Sequence, residues 1–313
     1  MSGSDTRPDP WMGERVIGVA EARRWLADSA PWLADSSIVE FGSGWDNAAF
    51  LVDDELVVRF PRRELAVELL ETEWKILPKL AGILPLAVPR PEISGVSTDE
   101  RAWPFVGYRV LTGQTACRVD PGPATRAAHA EVLGHFLGTL HAITPSHAKE
   151  LGAEPDRWRR SEAGYRRERA LEALAEAVTE DWLDASLAKG LGRRLARSEG
   201  VEARFDCLCH GDLYARHLLV EGERLTGIID WGDLHLGDPS VDVAVALTYL
   251  PPGALDAFQD AYGRVRPPLD DAHWRLAELR AVGHSLALLA YGVRGGEPEL
   301  AREALRSLLL LAR

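Results

Sequence analysis

Residues 210–231 read HGDLYARHLLVEGERLTGIIDW and decide how the rest of the chain is interpreted. Two short runs of β-forming residues, LLV and LTGII, flank Gly222–Glu223, a pattern typical of a tight hairpin turn. Such a hairpin places positions 217 and 230 roughly opposite each other at its open end, from which the loop 210–216 also hangs. We therefore expect four polar side chains to converge in one small volume: His210, Asp212, His217 and Asp230.

The carboxylates predicted at this end of the hairpin need a compensating charge. Buried carboxylates that lie close together repel each other unless one is protonated or a cation bridges them. A divalent metal ion meets that need, and phosphoryl transfer is the chemistry that commonly uses one. The sequence therefore predicts a metal-assisted phosphoryl-transfer site around Asp212 and Asp230.

The sequence before this stretch has the pattern of a small β-sheet with one helix. Residues 38–60 predict three strands, with a Gly-rich turn after the first and an Asp-Asp turn after the second. Residues 64–81 carry apolar positions at helical spacing, which predicts an amphipathic helix that ends at Pro78. We predict a β-rich lobe with one main helix over residues 1–111.

The sequence of the remainder of the chain has the periodicity of a helical domain. After Gly113 the sequence is rich in Ala, Leu, Arg and Glu with helical periodicity, and only residues 205–230 break that pattern. We predict a larger helical lobe over residues 112–313 that contains the hairpin and the acceptor pocket. The predicted fold class is α+β with two lobes.

The segment HGDLYARH followed by IIDW resembles the catalytic core of the aminoglycoside and macrolide phosphotransferases, which are relatives of the protein kinases. GDPSVD, at residues 237–242, is similar to a later motif of the same family. The resemblance covers nearly the whole chain in the order of its elements. It implies a bilobal protein-kinase-like fold that transfers the γ-phosphoryl group of GTP or ATP to a hydroxyl, with Mg²⁺ as cofactor.

The same resemblance implies a role for each matching residue. Asp212 takes the place of the residue that orients and deprotonates the acceptor hydroxyl, His217 takes a metal-side position, and Asp230 takes that of the principal Mg²⁺ ligand. Asp242 takes the place of a residue that buttresses the catalytic loop. His210 takes that of a residue whose ring bonds to backbone and holds the loop.

His217 departs from the Asn that aminoglycoside kinases and protein kinases usually carry. An imidazole can offer a lone pair to a metal or an N–H to phosphate, whereas Mg²⁺ prefers oxygen, so direct metal contact by His217 stays open. The chain is similar to the macrolide phosphotransferases in carrying His here and also in RFPRR, at residues 59–63. The resemblance therefore implies the macrolide 2'-phosphotransferase branch and antibiotic resistance.

The first lobe is similar to the family in its phosphate-binding parts. FGSGWDN, at residues 41–47, lies where the family's glycine loop covers the phosphates, and there Gly44 allows close backbone approach while Ser43 offers a hydroxyl. Arg59 takes the place of the phosphate-pairing Lys, and Glu73 that of its partner on the next helix. Two plainer alternatives stay open: an ordinary hairpin loop, and a surface Arg59–Glu73 salt bridge of little energetic effect.

Composition narrows the class of protein. The chain has 313 residues, of which 46% are hydrophobic and 27% charged, with a formal net charge of −12. The composition is that of an ordinary globular protein, and the negative charge disfavours nucleic-acid binding. The negative charge suits a cationic acceptor, such as the dimethylamino sugar of macrolides. The longest apolar run, residues 308–311, is too short to span a bilayer, and no secretory signal is recognisable. We expect a cytoplasmic monomer that contacts no membrane.

Other functions are compatible with the same residues. The core motif is shared by kinases of aminoglycosides and of other metabolites, and the departures at His217 and Arg59 keep open a catalytically inactive nucleotide-binding scaffold. His284 is expected to be an ordinary core or surface histidine. Cys207 and Cys209 are expected on opposite faces of a strand.

Overall fold

The computed structural model describes residues 13–44 and 46–312. It divides into two compact units: the first holds the chain up to Ala81 together with Pro89–Val110, and the second holds Gly82–Val88 and the chain from Leu111 onward. The first unit is built on a β-sheet and the second is mainly helical. The predicted α+β class is therefore confirmed. The short segment at 82–88, which leaves one unit for the other and returns, was not anticipated from the sequence.

A five-stranded antiparallel sheet forms the frame of the first unit. Its strands, numbered along the chain, are β1 (Ile38–Ser43), β2 (Asn47–Val52), β3 (Leu56–Pro61), β4 (Pro91–Val96) and β5 (Pro104–Arg109). They lie in the order β1-β2-β3-β5-β4. Because β3 has a neighbour on each side, nearly all its residues are buried, and Arg59 stands in the centre of the sheet between Ala49 and Val106.

Two helices accompany this sheet, α1 (Val19–Ser29) and α2 (Glu64–Leu80). The prediction that the second helix ends at Pro78 was wrong, because α2 continues to Leu80. A proline inside a helix costs about 3 kcal/mol. Leu77 and Leu80 are both fully buried, and burying each contributes about 1.5–3 kcal/mol. The two leucines together outweigh the proline, so the last turn remains helical.

Helices make up most of the second unit. They are α3 (Ala116–Val119), α4 (Pro123–Ala128), α5 (Ala130–His141), α6 (Pro145–Leu151), α7 (Ala163–Thr179), α8 (Ala185–Ala196), α9 (Ser240–Tyr249), α10 (Leu255–Gly263), α11 (Asp271–Arg294) and α12 (Pro298–Leu311). Its strands are β6 (Gln114–Thr115), β7 (Cys207–Cys209), β8 (Leu218–Glu221), β9 (Arg224–Ile228) and β10 (His235–Gly237). They form two small sheets, one with the order β6-β8-β9 and one that pairs β10 with β7.

The longest helix, α11, is the scaffold of this unit. It begins at a capped turn, where the side chain of Asp270 accepts a hydrogen bond from the backbone N–H of His273. Its apolar face packs with α7, α8, α9 and α12 around a core rich in buried leucine and alanine. Within the residues described, no helix combines the length and the hydrophobicity needed to cross a membrane.

Candidate active site

The predicted hairpin is present and sets the position of the site. β8 and β9 are antiparallel, and the pairing of Glu221 with Arg224 leaves Gly222–Glu223 as a two-residue turn. At the open end the backbone N–H of Ile229 donates to the carbonyl of His217, 3.0 Å away. Position 217 therefore lies opposite 229, and Asp230 follows directly.

Three of the predicted side chains meet at this open end. The Nε2 atom of His217 lies 3.3 Å from a carboxylate oxygen of Asp230, and its Nδ1 atom lies 3.9 Å from Oδ2 of Asp212. Nδ1 is also 2.6 Å from the backbone carbonyl of Asp212, and because a carbonyl only accepts, Nδ1 carries the proton. Burial opposes a charge on this imidazole, but the two carboxylates outweigh burial and raise the pKa of His217.

Asp212 is held from a second direction by helix α11. Its Oδ1 atom lies 3.2 Å from Nη2 of Arg280 and 3.3 Å from Nε2 of His284. Burial raises the pKa of this carboxyl, yet the basic groups around it more than offset burial and lower the pKa to about 2. Asp212 is therefore ionised at neutral pH. His284 is a largely buried histidine with a partner, as expected, but the sequence did not indicate that its partner is Asp212. Arg280 carried no signal in the sequence.

The loop before Asp212 is fixed by the buried carboxylate of Asp242, at the start of α9. One oxygen accepts from the backbone N–H of His210 at 2.7 Å, and the other from that of Gly211 at 2.9 Å. The Nε2 atom of His141 lies 3.1 Å from the same carboxylate. Burial opposes ionisation, but these bonds and the neighbouring histidines lower the pKa of Asp242. The sequence indicated Asp242 and missed His141, which is indistinguishable from other polar residues at the end of a helix.

The two cysteines of β7 lie against this buttress. Their sulfurs are 3.6 Å apart, so the expectation that they face opposite ways was wrong; residues two apart in a strand share a face. With His141 they form a buried group of potential metal ligands. Both ring nitrogens of His141 are already engaged, by Asp242 and by the hydroxyl of Tyr262. This group therefore belongs to the buttress.

The loop conformation requires glycine at position 211, and the ring of His210 ties the loop to the hairpin. Gly211 has a φ of +90°, and a Cβ there would lie 2.3 Å from the carbonyl oxygen of Asp233. Only glycine fits such a position. The ring of His210 lies 3.1 Å from the carbonyl of Ile229, so it ties the loop to the hairpin as the sequence suggested.

Asp230 has the properties expected of a metal-binding carboxylate. Its φ is +65°, in the left-handed region that aspartate adopts more readily than most residues with a side chain. Its side chain is 52% exposed, while Trp231 beside it is completely buried. An exposed carboxylate oxygen fits Mg²⁺, which keeps several waters and takes few protein ligands. His217 fits better as a partner that orients Asp230, because Mg²⁺ prefers oxygen.

The predicted phosphate-binding residues of the first unit form two local structures. Nη1 of Arg59 lies 3.0 and 2.7 Å from the two carboxylate oxygens of Glu73, whose side chain is only 1% exposed. The alternative of a surface salt bridge was therefore wrong. Gly44 lies in the turn after β1, where its N–H donates to the carbonyl of Asn47 at 2.9 Å. Ser43 is the last residue of β1, and its side chain lies outside the part that the structure describes.

The chain is similar to known proteins in both sequence and structure. Residues 37–279 match the sequence model of APH, the phosphotransferase enzyme family. The chain is similar to the GDP and kanamycin complex of APH(2")-IIia, at 26% identity and a TM-score of 0.67, over 92% of this chain and 96% of that one. It is also similar to the apoenzyme of macrolide 2'-phosphotransferase MphH from Brachybacterium faecium, at 26% identity and a TM-score of 0.55, over 87% and 91%. A macrolide 2'-phosphotransferase type I, 24% identical with a TM-score of 0.61 over 93% and 98%, shares the fold.

Proposed function

The chain belongs to the APH phosphotransferase enzyme family, and on that premise we propose that it phosphorylates a hydroxyl of a macrolide antibiotic with GTP or ATP. Its membership makes it a nucleotide-dependent phosphotransferase that acts on an alcohol group. The observation that supports the reaction most directly is the meeting of three side chains from a loop and a strand end: Asp212, His217 and Asp230.

Asp212 is proposed to receive the acceptor hydroxyl. Its Oδ1 atom already accepts from Arg280 and His284, so Oδ2, which has His217 at 3.9 Å, is the oxygen proposed to accept from the hydroxyl. The acceptor oxygen forms a bond to the γ-phosphorus as the bond to the β–γ bridging oxygen breaks, the nucleoside diphosphate leaves, and the proton passes to Asp212. A carboxylate with a pKa of about 2 is a weak base. That suits a loose transition state, in which orientation of the hydroxyl matters more than early proton removal.

Asp230 is proposed to hold Mg²⁺, with His217 orienting its carboxylate. When bound, Mg²⁺ supplies charge neutralisation at the phosphate oxygens. In the first unit, Arg59 is proposed as the cation that pairs with nucleotide phosphates, held in place by the carboxylate of Glu73. The turn with Ser43 and Gly44 is proposed to contribute hydrogen bonds to the phosphates.

The choice of a macrolide acceptor rests on the resemblance of His217 and the RFPRR segment to the macrolide branch. The net charge of −12 suits a cationic acceptor of either antibiotic class. The 26% identity to a macrolide 2'-phosphotransferase is compatible with this choice. The identity to APH(2")-IIia is equal, so an aminoglycoside is the second candidate acceptor. A cytoplasmic monomer remains the predicted form of the protein.

Nucleotide consumption across a panel of acceptors tests the proposal. Purified protein with Mg²⁺ and either GTP or ATP is assayed with macrolides that have or lack the free 2'-hydroxyl, and with aminoglycosides. We expect turnover with macrolides that keep the hydroxyl and none with those whose hydroxyl is blocked. Turnover with aminoglycosides alone would replace the acceptor assignment. Tight Mg²⁺–nucleotide binding without turnover on any acceptor would contradict the macrolide proposal and leave the natural acceptor to be found.

A further inference from the structure

Two side chains of α11 converge on one oxygen of the proposed catalytic carboxylate. Arg280 and His284 are four residues apart, so they lie on the same face of the helix, one turn from each other. Both reach Oδ1 of Asp212, at 3.2 and 3.3 Å. The same guanidinium nitrogen of Arg280 also lies 3.3 Å from the backbone carbonyl of Gly211. Arg280 therefore bridges the side chain of Asp212 and the loop backbone that carries it.

His284 and Arg280 differ in charge. Burial lowers the pKa of His284 well below its ordinary value, and the neighbouring Arg280 lowers it further, so this imidazole is neutral at pH 7. A carboxylate can only accept, so Nε2 of His284 acts as an N–H donor toward Oδ1. Of these two side chains of α11, Arg280 is therefore the one that brings a permanent positive charge to Asp212, in addition to the more distant Arg160.

The position of Arg280 is an unfavourable one for a cation. Its side chain is 11% exposed, and burial together with Arg160 and Arg166 nearby lowers its pKa to about 10. Within the described part of the chain, its buried Nε atom has no hydrogen-bond partner. The carboxylates of Asp212 and Asp233 favour the charged form of Arg280 and offset part of the cost of its burial. Asp233 also pairs with Arg160, at 2.5 Å, and so reduces the repulsion between the two arginines.

A buried cation whose Nε atom lacks a partner among the described residues is a costly way to stabilise a fold. Removing one partner of a buried ion pair destabilises a protein to the extent that the remaining charge loses its compensation. Asp212 keeps His284 and part of its exposure to solvent, at 23%. Local features that cost stability concentrate at functional sites, where they hold a reactive group in one arrangement.

We propose that Arg280 is a positioning residue that fixes Oδ1 of Asp212 and so directs Oδ2 toward the acceptor hydroxyl, with His284 as its assistant. The proposal rests on the proposed function of Asp212. Arg280 touches the carboxylate and the loop, so its contribution is expected in kcat and not in the binding of nucleotide.

The variants Arg280→Met and Arg280→Lys test this role. For Arg280→Met we expect a fall in kcat of at least tenfold, with the KM of the acceptor and the Kd of the nucleotide within about threefold of wild type. Its melting temperature is expected to fall by no more than about 5 °C, because Asp212 keeps His284, His217 and part of its exposure to solvent. Arg280→Lys is expected to recover part of kcat, because an ammonium can still reach Oδ1. The matched control is Arg275→Met on the same helix, whose partner is the exposed Asp271, with kcat within twofold.

A crystal structure of Arg280→Met provides a readout that needs no acceptor. We expect the carboxylate of Asp212 to leave its wild-type rotamer or to become disordered while Asp242 stays in place. An unchanged Asp212 carboxylate, or a kcat within twofold of wild type, would overturn the proposal. So would a loss of kcat accompanied by a larger fall in melting temperature and a parallel loss of nucleotide affinity. Failure of the wild type to turn over any acceptor would instead count against the proposed function, and the crystallographic result would still decide the role of Arg280.

Discussion

The catalytic hairpin (residues 210–230) and the glycine turn (residues 42–46) are both loops joined to strands, yet they are held in different ways. Three helices reach the catalytic hairpin: α5 and α9 through the His141–Asp242 pair, and α11 through Arg280. The glycine turn is held by local contacts, such as the N–H of Gly44 on Asn47 and that of Arg62 on Asp46. This difference agrees with the proposed roles, because a carboxylate that receives one hydroxyl needs a fixed position, whereas a loop that contacts phosphates through backbone groups can adjust to them.

The largest effect is expected from Asp230→Ala in the catalytic hairpin. Loss of the proposed Mg²⁺ ligand removes several kcal/mol of transition-state charge stabilisation, so kcat should fall about a thousandfold or more. Steady-state assays over a range of Mg²⁺ concentrations provide the measurement. Glu221→Ala, at the exposed far end of the same hairpin, is the control and should stay within twofold. A residual activity above about a tenth of wild type would remove Asp230 from the metal site.

The next effect concerns the buttress behind the hairpin. Asp242→Ala should lower the free energy of unfolding by about 3 kcal/mol, because it leaves two buried N–H groups and His141 without their acceptor. Urea denaturation measures this. The pKa of Asp242 is lower in the folded protein than the ordinary 3.8, so its contribution is present above that pH and is lost as the pH falls. As the pH falls below about 4, the melting temperature of wild type should therefore fall more than that of Asp242→Asn. Parallel curves would contradict the assignment.

A smaller effect is expected in the first unit from Glu73→Gln. This change leaves Arg59 without its buried carboxylate, so the guanidinium can turn away from its position in the sheet. We expect the KM of the nucleotide to rise about tenfold, which corresponds to about 1.4 kcal/mol, with a smaller change in kcat. The control is Glu55→Gln. Glu55 pairs with Arg109 on the surface, where the two charged groups lie 3.4 Å apart. Equal KM values in both variants would show that the buried pair is structural only.

The smallest effect is expected from Gly42→Ala in the glycine turn. A Cβ at Gly42 meets no atom within 4 Å, so the free energy of unfolding should change by less than about 1 kcal/mol. The KM of the nucleotide should rise only about threefold. The same substitution at Gly211 creates a 2.3 Å contact with backbone and should destabilise the protein severely. Similar stabilities for the two variants would remove the contrast between the regions.

Local chemistry explains what could be predicted from the sequence. The turn at Gly222–Glu223 and the β-forming runs around it define the hairpin by themselves, and the hairpin brings His217 to Asp230. Asp242 was indicated by its motif. These features depend on residues close in sequence or on a resemblance that names them.

The contributions of α5 and α11 could not be predicted in this way. Helical periodicity indicates which face of a helix is buried, but not what a polar residue on that face contacts. His141, Arg280 and His284 are polar residues on mostly apolar helices, and their partners lie 68 or more residues away in sequence. For Arg59 and Glu73, sequence reasoning supplied the pair but left its burial undecided.

The segment at 82–88 has a consequence for engineering. Within it, the N–H of Ala87 donates to Thr226 and its carbonyl accepts from Ile228, so this piece of chain is an edge partner of β9. A fragment or chimaera cut at residue 111 would separate β9 from that partner, although every helix of the second unit would be retained. Domain exchange between homologues should therefore transfer residues 82–88 together with the C-terminal portion. The second unit is made of two separate segments of the sequence, so no single cleavage point separates the two units.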